Sequence, residues 1–137
     1  MDRRRVDVFF YGLFMDRQLL ESKGIQPEDV RVAAVPGVEL RIGARAALVP
    51  NPAGEVHGVL MRLSHAELDR LYSESSVQAY RPEAVLAVES NGATVAALCY
   101  NLPDPAASDE RNPEYAGRLR ALARRIGLPR HYVDSIS

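Results

Sequence analysis

The dipeptide Asn91-Gly92 lies between two apolar segments, residues 84–88 and 94–100. Asn and Gly adopt the positive φ angles of a type I′ turn more readily than other residues, and this turn matches the twist of paired strands. The sequence therefore predicts an antiparallel hairpin with a type I′ turn at Asn91-Gly92. No other feature constrains the local structure of the chain as strongly.

Short apolar segments bounded by Gly, Pro or Asn predict further strands. In residues 56–63 both alternating sets of side chains are mostly apolar, which is typical of a central strand covered on both faces. Strands that follow one another through short turns favour a mostly antiparallel sheet or barrel. The other predicted strands are residues 6–11, a weak strand at 30–35, then 38–42 and 46–49, with a turn at 50–54 before the central strand.

Three segments carry helix signals. Ser64 and Glu67 form a capping box, and Asn112-Pro113 begins a last helix that Gly127 ends. A shorter helix is expected between an Asp16 cap and a stop at Gly24. Together these elements predict an α+β fold, a small and mostly antiparallel β-barrel or sheet with flanking helices, in a single domain over residues 1–137.

Composition is that of an ordinary globular domain, since 47% of the 137 residues are hydrophobic and 26% are charged. The formal net charge of -1 gives no electrostatic reason to bind nucleic acid or an anionic membrane. Cys99 is the only cysteine, so no internal disulfide can form, and we expect a cytoplasmic location.

The N-terminus faintly resembles a signal peptide because Arg3, Arg4 and Arg5 precede the apolar run 8–15. Asp7 interrupts the junction, however, and no small-residue cleavage site follows. We expect a buried first strand instead. No apolar stretch approaches the roughly 20 residues that a membrane-spanning helix needs.

Common catalytic motifs are missing from the sequence: it has no Gly-x-Ser-x-Gly elbow, Walker loop or Gly-x-Gly-x-x-Gly. His57, His65 and His131 are dispersed and lack metal-ligand spacing, so we predict no metal site and no cofactor. Cys99 is expected to be a small buried hydrophobe rather than a nucleophile, and His57 a core histidine rather than a catalyst. Pattern chemistry alone predicts only an α+β domain.

Several motifs occur in an order that resembles the gamma-glutamylcyclotransferase-like family, which includes avirulence-induced-gene-like domains. A first strand runs into a Tyr-Gly turn at Tyr11-Gly12. A Gly-x-Val-x-Gly-x-hydrophobic strand follows at 54–60, and then a Glu-Leu-x-x-Leu helix at 67–71. The remaining motifs are a glutamate and a tyrosine, Glu74 and Tyr80, before the strand at 84–88, and Asn112-Pro113-x-Tyr115 with Leu119 in the last helix.

The resemblance implies a reaction in which the α-amine of a γ-glutamyl group attacks its own γ-carbonyl. The products are 5-oxoproline and a released amine or amino acid. Because the attack is intramolecular, the site gains rate mainly by holding a folded-back conformer. It also needs a base, donors for the oxyanion and an anchor for the α-carboxylate. The implied partner is a small γ-glutamyl substrate or another carboxylate ligand, and the oligomeric state is left open.

The resemblance also implies roles for individual residues. Glu74 is the predicted base, and partial burial would raise its pKa toward neutrality. Backbone amides around Gly12 would form an anion cradle, and the Tyr80 hydroxyl would bond the substrate or the glutamate. The structural alternatives are an exposed helix-end glutamate, a turn glycine, a solvent-facing tyrosine and, for the other residues of the turn, core packing. The predicted site comprises Tyr11, Gly12, Leu13, Phe14, Glu74 and Tyr80.

Two departures from the family pattern bear on activity. The turn is Tyr-Gly-Leu-Phe rather than Tyr-Gly-Ser-Asn or Tyr-Gly-Thr-Leu, so polar side chains are lost. Counted from Leu71, the position of the catalytic glutamate falls on Ser75, and Glu74 comes one residue early. Glu83 is a reserve candidate, for which a surface ion pair with Arg81 is the simpler role.

The sequence therefore leaves three functions open. The first is a cyclotransferase, and the second is a catalytically inactive domain of the same fold that binds a small carboxylate ligand. The third is an interaction subunit that uses Arg118, Arg124 and Arg125 on the last helix, although these are expected to form a solvated face. The loop at 103–112 could cover the pocket, but we expect a solvated connector.

Overall fold

A computed structural model describes residues 4–107 and 109–137. Its elements are β1 (Arg5–Phe10), a short 3-10 turn (Leu13–Met15), α1 (Arg17–Ser22), β2 (Glu28–Ile42), β3 (Ala46–Ser64), α2 (His65–Leu71), β4 (Arg81–Glu89), β5 (Thr94–Asn101), α3 (Pro113–Ile126) and α4 (Arg130–Ser135). The expected first strand is confirmed as β1, while Arg3 lies outside the described residues. No helix of the described part is long and apolar enough to cross a membrane.

The five strands form a closed barrel in the order β1-β3-β2-β4-β5. Neighbouring strands are antiparallel except for β1 and β5, which close the barrel in parallel through Val8 and Leu98. The predicted α+β architecture, a small barrel with flanking helices, is confirmed. β3 lies between β1 and β2, as the two-sided apolar pattern of residues 56–63 predicted.

β2 and β3 are longer than the sequence indicates. The predicted pairs of strands at 30–35 and 38–42, and at 46–49 and 56–63, are each one strand. The turn expected at 50–54 is wrong as a chain reversal, because these residues continue β3. They form a bulge, since Pro36 pairs with Glu55 whereas Val38 pairs with Pro50. The proline-rich composition that signals a turn is equally suited to such a bulge.

The predicted hairpin is confirmed, but its turn type is wrong. Type I′ requires positive φ at both central residues, and only Gly92, at 89°, has positive φ within this turn. The Gly92 amide donates to the Glu89 carbonyl, and Glu89 donates to Ala93. This arrangement is a three-residue loop with a bulge at the glycine, which uses Asn91 to accept a hydrogen bond from the Ala93 amide.

The helix signals are confirmed where the sequence placed them. Asp16 caps α1 by accepting from the Gln18 amide, the capping box of Ser64 and Glu67 begins α2, and Asn112 caps α3. Gly127, at φ 94°, ends α3 in the left-handed region that favours glycine. α4 was not predicted because it has only six residues and no side-chain cap.

The barrel core depends on a close approach between β1 and β3. A Cβ at Gly58 would lie 2.2 Å from the Phe10 carbonyl oxygen, so only glycine fits at this position. Phe9, Leu60 and Leu63 are at most 1% exposed. Burying each such side chain contributes about 1.5 to 3 kcal/mol, so the end of β1 and the turn that follows it are held firmly.

Candidate active site

A cavity of about 400 Å³ opens where β1 ends, beside the start of β3 and the segment after α2. All six residues of the predicted site line it: Tyr11, Gly12, Leu13, Phe14, Glu74 and Tyr80. A wider depression of about 930 Å³ lies at the start of β1, but its lining is mostly charged and contains none of these residues. The smaller cavity is therefore the candidate site.

Tyr11 forms the buried base of the turn, and its side chain is held by the end of β5. Its hydroxyl donates to the Tyr100 carbonyl at 3.0 Å and to Asn101 Oδ1 at 3.3 Å. Burial raises the pKa of Tyr11 well above its ordinary value, so the phenol remains a neutral donor. Tyr11 is 5% exposed, and these contacts make it a support for the cavity wall.

Asn101 is the buried polar group on which this support depends. Its Oδ1 accepts from the Leu48 amide at 2.9 Å, and its Nδ2 donates to the Leu48 carbonyl at 2.9 Å. The same Oδ1 accepts from the Leu102 amide. Because β5 and β3 are not neighbours in the barrel, Asn101 ties together two strands that flank the cavity.

Gly12 is favoured here by limited space and not by a positive φ. Its φ is -110°, but a Cβ at this position would lie 3.1 Å from the Tyr115 hydroxyl oxygen. Burial raises the pKa of Tyr115, while a hydrogen bond from the Leu13 amide opposes that rise. The turn therefore presents a backbone donor and a phenol side by side.

Aromatic rings form most of the apolar wall. Tyr72 stacks on Tyr100 with ring centroids 3.9 Å apart. Phe14 meets Tyr72 edge to face at 5.9 Å and Phe10 at 6.4 Å. Leu13 and Phe14 are partly buried and pack on the core, but they also face the cavity. The loss of the family's polar pair therefore replaces side-chain donors with an apolar surface.

Glu74 lines the cavity, whereas Ser75, to which a strict count from Leu71 assigns the glutamate position, is exposed and does not. Glu74 lies beyond the end of α2 in an irregular segment. Lys23, which follows α1, donates from Nζ to Glu74 Oε1 at 2.8 Å and to Oε2 at 2.9 Å. The glutamate is therefore neither free in solvent nor deeply buried, since 39% of its side chain is exposed.

Glu83 lies on β4 outside the cavity lining. Its Oε2 accepts a weak hydrogen bond from Asn101 Nδ2 at 3.4 Å. Arg81, its expected partner, instead donates to the Gln78 and Tyr80 carbonyl oxygens. The structure thus brings Glu74, and not Glu83, to the lining of the cavity.

The Tyr80 hydroxyl donates to the Ala46 carbonyl at the start of β3. Burial raises the pKa of Tyr80, so its oxygen can still accept a hydrogen bond while its proton is used by the backbone. The alternative of a solvent-facing hydroxyl is wrong, because this side chain lines the cavity and its hydroxyl bonds the backbone.

Three cations in the cavity lining were not predicted to belong to the site: Lys23, Arg45 and Arg118. Neither arginine forms an ion pair with a carboxylate within residues 4–107 and 109–137. Arg118 is exposed, as expected for the polar face of α3, but it borders the cavity. It follows Tyr115 by three residues, and that helical spacing could have revealed it. Arg45 and Lys23 carry no local signal.

Cys99 is fully buried in β5, and burial raises its pKa to about 12. The thiol is therefore not poised as a nucleophile.

The described residues of the loop at 103–112 do not line the cavity. Asn112 Nδ2 donates to the Gly43 carbonyl at 2.9 Å, so the described part of the loop is a connector that leans on the β2–β3 turn.

The histidines are not all apart in space. The rings of His57 and His131 meet at 5.6 Å, and His57 Nε2 lies 2.9 Å from Glu55 Oε1. His57 is mostly buried, but it lies on the outer side of β3 and outside the hydrophobic core. The expectation of dispersed histidines is therefore wrong for this pair, because strand and helix contacts bring together residues that are distant in sequence.

The sequence and the fold were compared with those of known proteins. The chain matches the family "Gamma-glutamyl cyclotransferase, AIG2-like" over residues 8–119. A solved structure described as "Gamma-glutamyl cyclotransferase" is similar with a TM-score of 0.79 and 18% identity, covering 97% of this chain and 88% of that one. No curated protein matches.

Two further structures share the fold. An uncharacterised protein from Homo sapiens is similar with a TM-score of 0.79 and 18% identity, over 98% of this chain and 89% of that one. YkqA from Bacillus subtilis is similar with a TM-score of 0.77 and 21% identity, over 95% of this chain and 52% of that one. Identities this low concern the fold alone, but the family match spans most of the sequence. This chain belongs to the gamma-glutamyl cyclotransferase, AIG2-like family.

Proposed function

We propose that this protein cyclises a γ-glutamyl group to 5-oxoproline, with Glu74 as the proton carrier. The observation that carries the proposal is that Glu74 and the Tyr11-Gly12 turn line one cavity. Family membership makes this chemistry the first to consider, although family and fold do not by themselves fix activity.

The reaction needs a single proton carrier. Glu74 takes a proton from the substrate's α-ammonium, and the freed amine nitrogen forms a bond to the γ-carbonyl carbon. Glu74 then delivers this proton to the leaving nitrogen as the bond from the carbon to that nitrogen breaks. The ring nitrogen still holds one proton more than the lactam, and Glu74 passes this second proton to the released amine. The two protons lost by the α-ammonium are thus the two gained by the leaving group, and no cofactor enters the balance.

An ammonium group already contacts Glu74. Lys23 Nζ bonds both carboxylate oxygens, and the α-ammonium of a γ-glutamyl group is the same chemical group. We assign Lys23 as a positioning residue that holds the carboxylate at the cavity wall, because the irregular segment after α2 provides little other restraint. The substrate ammonium would share or take one of the two oxygens.

The cavity charge indicates which substrates fit. Lys23, Arg45 and Arg118 face one carboxylate, Glu74, so the lining has an excess of positive charge. A γ-glutamyl amino acid has two carboxylates and one ammonium, whereas a γ-glutamyl amine has one of each. We therefore expect γ-glutamyl amino acids to be preferred, with Arg45 and Arg118 as carboxylate anchors. The aromatic wall favours an apolar leaving group.

Donors for the oxyanion would come from the turn and from Tyr115 beside it. The Tyr115 hydroxyl lies against Gly12 in the cavity lining, where it can offer its proton to a substrate oxygen. Amide donors survive the replacement of the family's polar side chains at Leu13 and Phe14.

The test is an assay for 5-oxoproline over a panel of γ-glutamyl amino acids and amines. Glu74→Gln should abolish turnover while keeping the fold, and Ser75→Ala and Glu83→Gln are matched controls that should retain it. Unchanged turnover in Glu74→Gln would refute the assignment of Glu74 as the proton carrier. Loss of turnover in Glu83→Gln but not in Glu74→Gln would assign that role to Glu83 on β4.

A second candidate is a binding domain without catalysis. Lys23 engages both oxygens of Glu74 while both arginines lack carboxylate partners among the described residues, and this arrangement suits a carboxylate ligand. Calorimetric binding of a γ-glutamyl amino acid by wild-type protein that produces no 5-oxoproline would favour this function. The cytoplasmic location remains our inference from the lone cysteine.

A further inference from the structure

One carboxylate and two imidazoles meet on the outer side of the barrel, where α4 packs against β3. The possible ligand atoms of Glu55, His57 and His131 all lie within 4.8 Å of one another. We propose that these three residues bind a Zn²⁺ ion. None of them lines the candidate active site, so this inference is independent of the cyclotransferase proposal.

Local structure explains why the three side chains converge. Glu55 and His57 are two residues apart on β3, and that spacing places them on one face of a strand. Val56, between them, is 1% exposed and points into the barrel. His131 lies in the first turn of α4, which the stop at Gly127 brings back over β3.

The donor set suits zinc. Two imidazole nitrogens and one carboxylate oxygen are the ligands of many three-residue zinc sites, which leave a fourth position for water. Imidazole also favours zinc over magnesium or calcium, which prefer oxygen ligands alone. The chemistry therefore favours a transition-metal ion, and zinc is its commonest tetrahedral case.

The geometry needs only a small adjustment. Bonds of about 2.0 to 2.1 Å to zinc put tetrahedral ligand atoms about 3.3 Å apart. Glu55 Oε1 and His57 Nε2 are 2.9 Å apart, close to that value. No two ligand atoms of the cluster are more than 4.8 Å apart, so the widest pair would have to approach by at most about 1.5 Å. His131 is exposed, and within the described part of the chain its ring contacts that of His57 alone, whereas the His57 ring also packs on Tyr132 and bonds Glu55. His131 is therefore the ligand that can move.

The surroundings combine a fixed ligand with an open path. The His57 side chain is 13% exposed, and the Tyr132 ring packs against it at 5.1 Å, which restricts its orientation. Glu55 is 52% exposed, so an ion can approach from solvent. The competing explanation is a simple hydrogen bond between Glu55 and His57 with no metal, and it predicts no specific affinity for zinc.

A bound ion would fasten α4 to the barrel. The contact between α4 and β3 includes the ring contacts of His57 with His131 and Tyr132. An ion that bridges the two elements binds the folded state only, because the unfolded chain does not hold the ligands together. Zinc should therefore raise the melting temperature.

The experiment titrates the full chain with zinc sulfate in a non-chelating buffer by calorimetry. We expect one zinc ion per chain, with affinity reduced at least tenfold in His131→Ala and in Glu55→Gln. Both residues are exposed, so the fold should survive either change. His65→Ala is the matched control, since His65 is an exposed histidine at the start of α2 outside the cluster, and it should bind as wild type.

Two further measurements check the site itself. Cobalt substituted for zinc should give the intense visible absorption of a tetrahedral ion. Zinc at about 100 times its dissociation constant should raise the melting temperature by about 5 to 10 °C in wild type and not in His131→Ala. Dissociation constants weaker than about 100 μM, or equal loss of affinity in His65→Ala, would overturn the proposal.

Discussion

Glu67 offers a quantitative test of how the fold holds the active-site segment. Its side chain, which is 11% exposed, accepts from three donors. The Ser64 and Arg5 donors lie 3.0 and 2.9 Å from Oε1, and the Gln26 amide lies 2.9 Å from Oε2. Glu67 thus joins the start of α2 to β1 and to the segment before β2. α2 in turn leads directly to Glu74.

Glu67→Gln keeps the size of the side chain but removes its charge and one acceptor. One of the three donors must then face an amide NH₂ group. A hydrogen bond to a charged group contributes about 1.5 to 3 kcal/mol, and an unsatisfied buried donor costs about 1 to 3 kcal/mol. We expect the variant to lose about 2 kcal/mol of unfolding free energy at pH 7. For a chain of this length that corresponds to about 7 °C in melting temperature.

The pH dependence of this stability loss shows whether it comes from the charge of Glu67. Burial alone would raise the pKa of Glu67, but hydrogen bonds from Ser64 and Gln26 and the charge of Arg5 outweigh it and lower the pKa below its ordinary value. A lowered folded-state pKa contributes stability that is present above the unfolded pKa, about 4.3, and lost as pH falls through the folded pKa. The difference in unfolding free energy between wild type and variant should therefore reach its maximum above about pH 5 and decrease steadily below about pH 4.

Urea unfolding at pH 7, 5 and 3 measures this difference. Glu21→Gln is the matched control, because Glu21 forms an exposed pair with Arg17 at 3.9 Å and should cost less than about 0.5 kcal/mol at every pH. A loss of under 0.5 kcal/mol in Glu67→Gln at pH 7, or a loss that does not diminish at pH 3, would refute the argument.

Substitutions at three other positions test the cavity and the barrel that supports it. Asn101→Ala removes the two buried hydrogen bonds that link β5 to β3 and should cost about 3 kcal/mol by urea unfolding; a cost below about 1 kcal/mol would contradict this. Gly58→Ala places a Cβ against the Phe10 carbonyl and should cost 2 kcal/mol or more, visible as a lower melting temperature. Lys23→Met should reduce kcat about tenfold while changing stability by less than about 1 kcal/mol, and Lys23→Arg should restore kcat, because it can again donate to both oxygens of Glu74.

The fold could be predicted to a large extent because its signals are local. The capping box at Ser64, the cap at Asn112 and the Asn91-Gly92 hairpin each reside in a few neighbouring residues, and the structure confirms all three. The errors occurred where composition permits two outcomes. Residues 50–54 suit a turn or a bulge, and only pairing with β2 decides between them.

The candidate site divides in the same way. The six predicted residues could be identified because each lies in a short segment that resembles a family motif. The structure places all six in the lining of one cavity. Lys23 and Arg45 reach that cavity only because the barrel closes, and no spacing along the chain predicts their positions. The same holds for His57 and His131, which are 5.6 Å apart between ring centroids although they belong to different elements.

The two candidate functions share a bound state and differ only in one proton transfer. In both, cations anchor the carboxylates, and the substrate ammonium contacts Glu74 beside Lys23. Catalysis additionally requires Glu74 to accept a proton and return it, which a glutamine cannot do. Glu74→Gln should therefore bind a γ-glutamyl amino acid with affinity within about tenfold of wild type and form no 5-oxoproline. A variant that lost binding and turnover together would make Glu74 an ammonium anchor, and the proton carrier would have to lie elsewhere in the cavity.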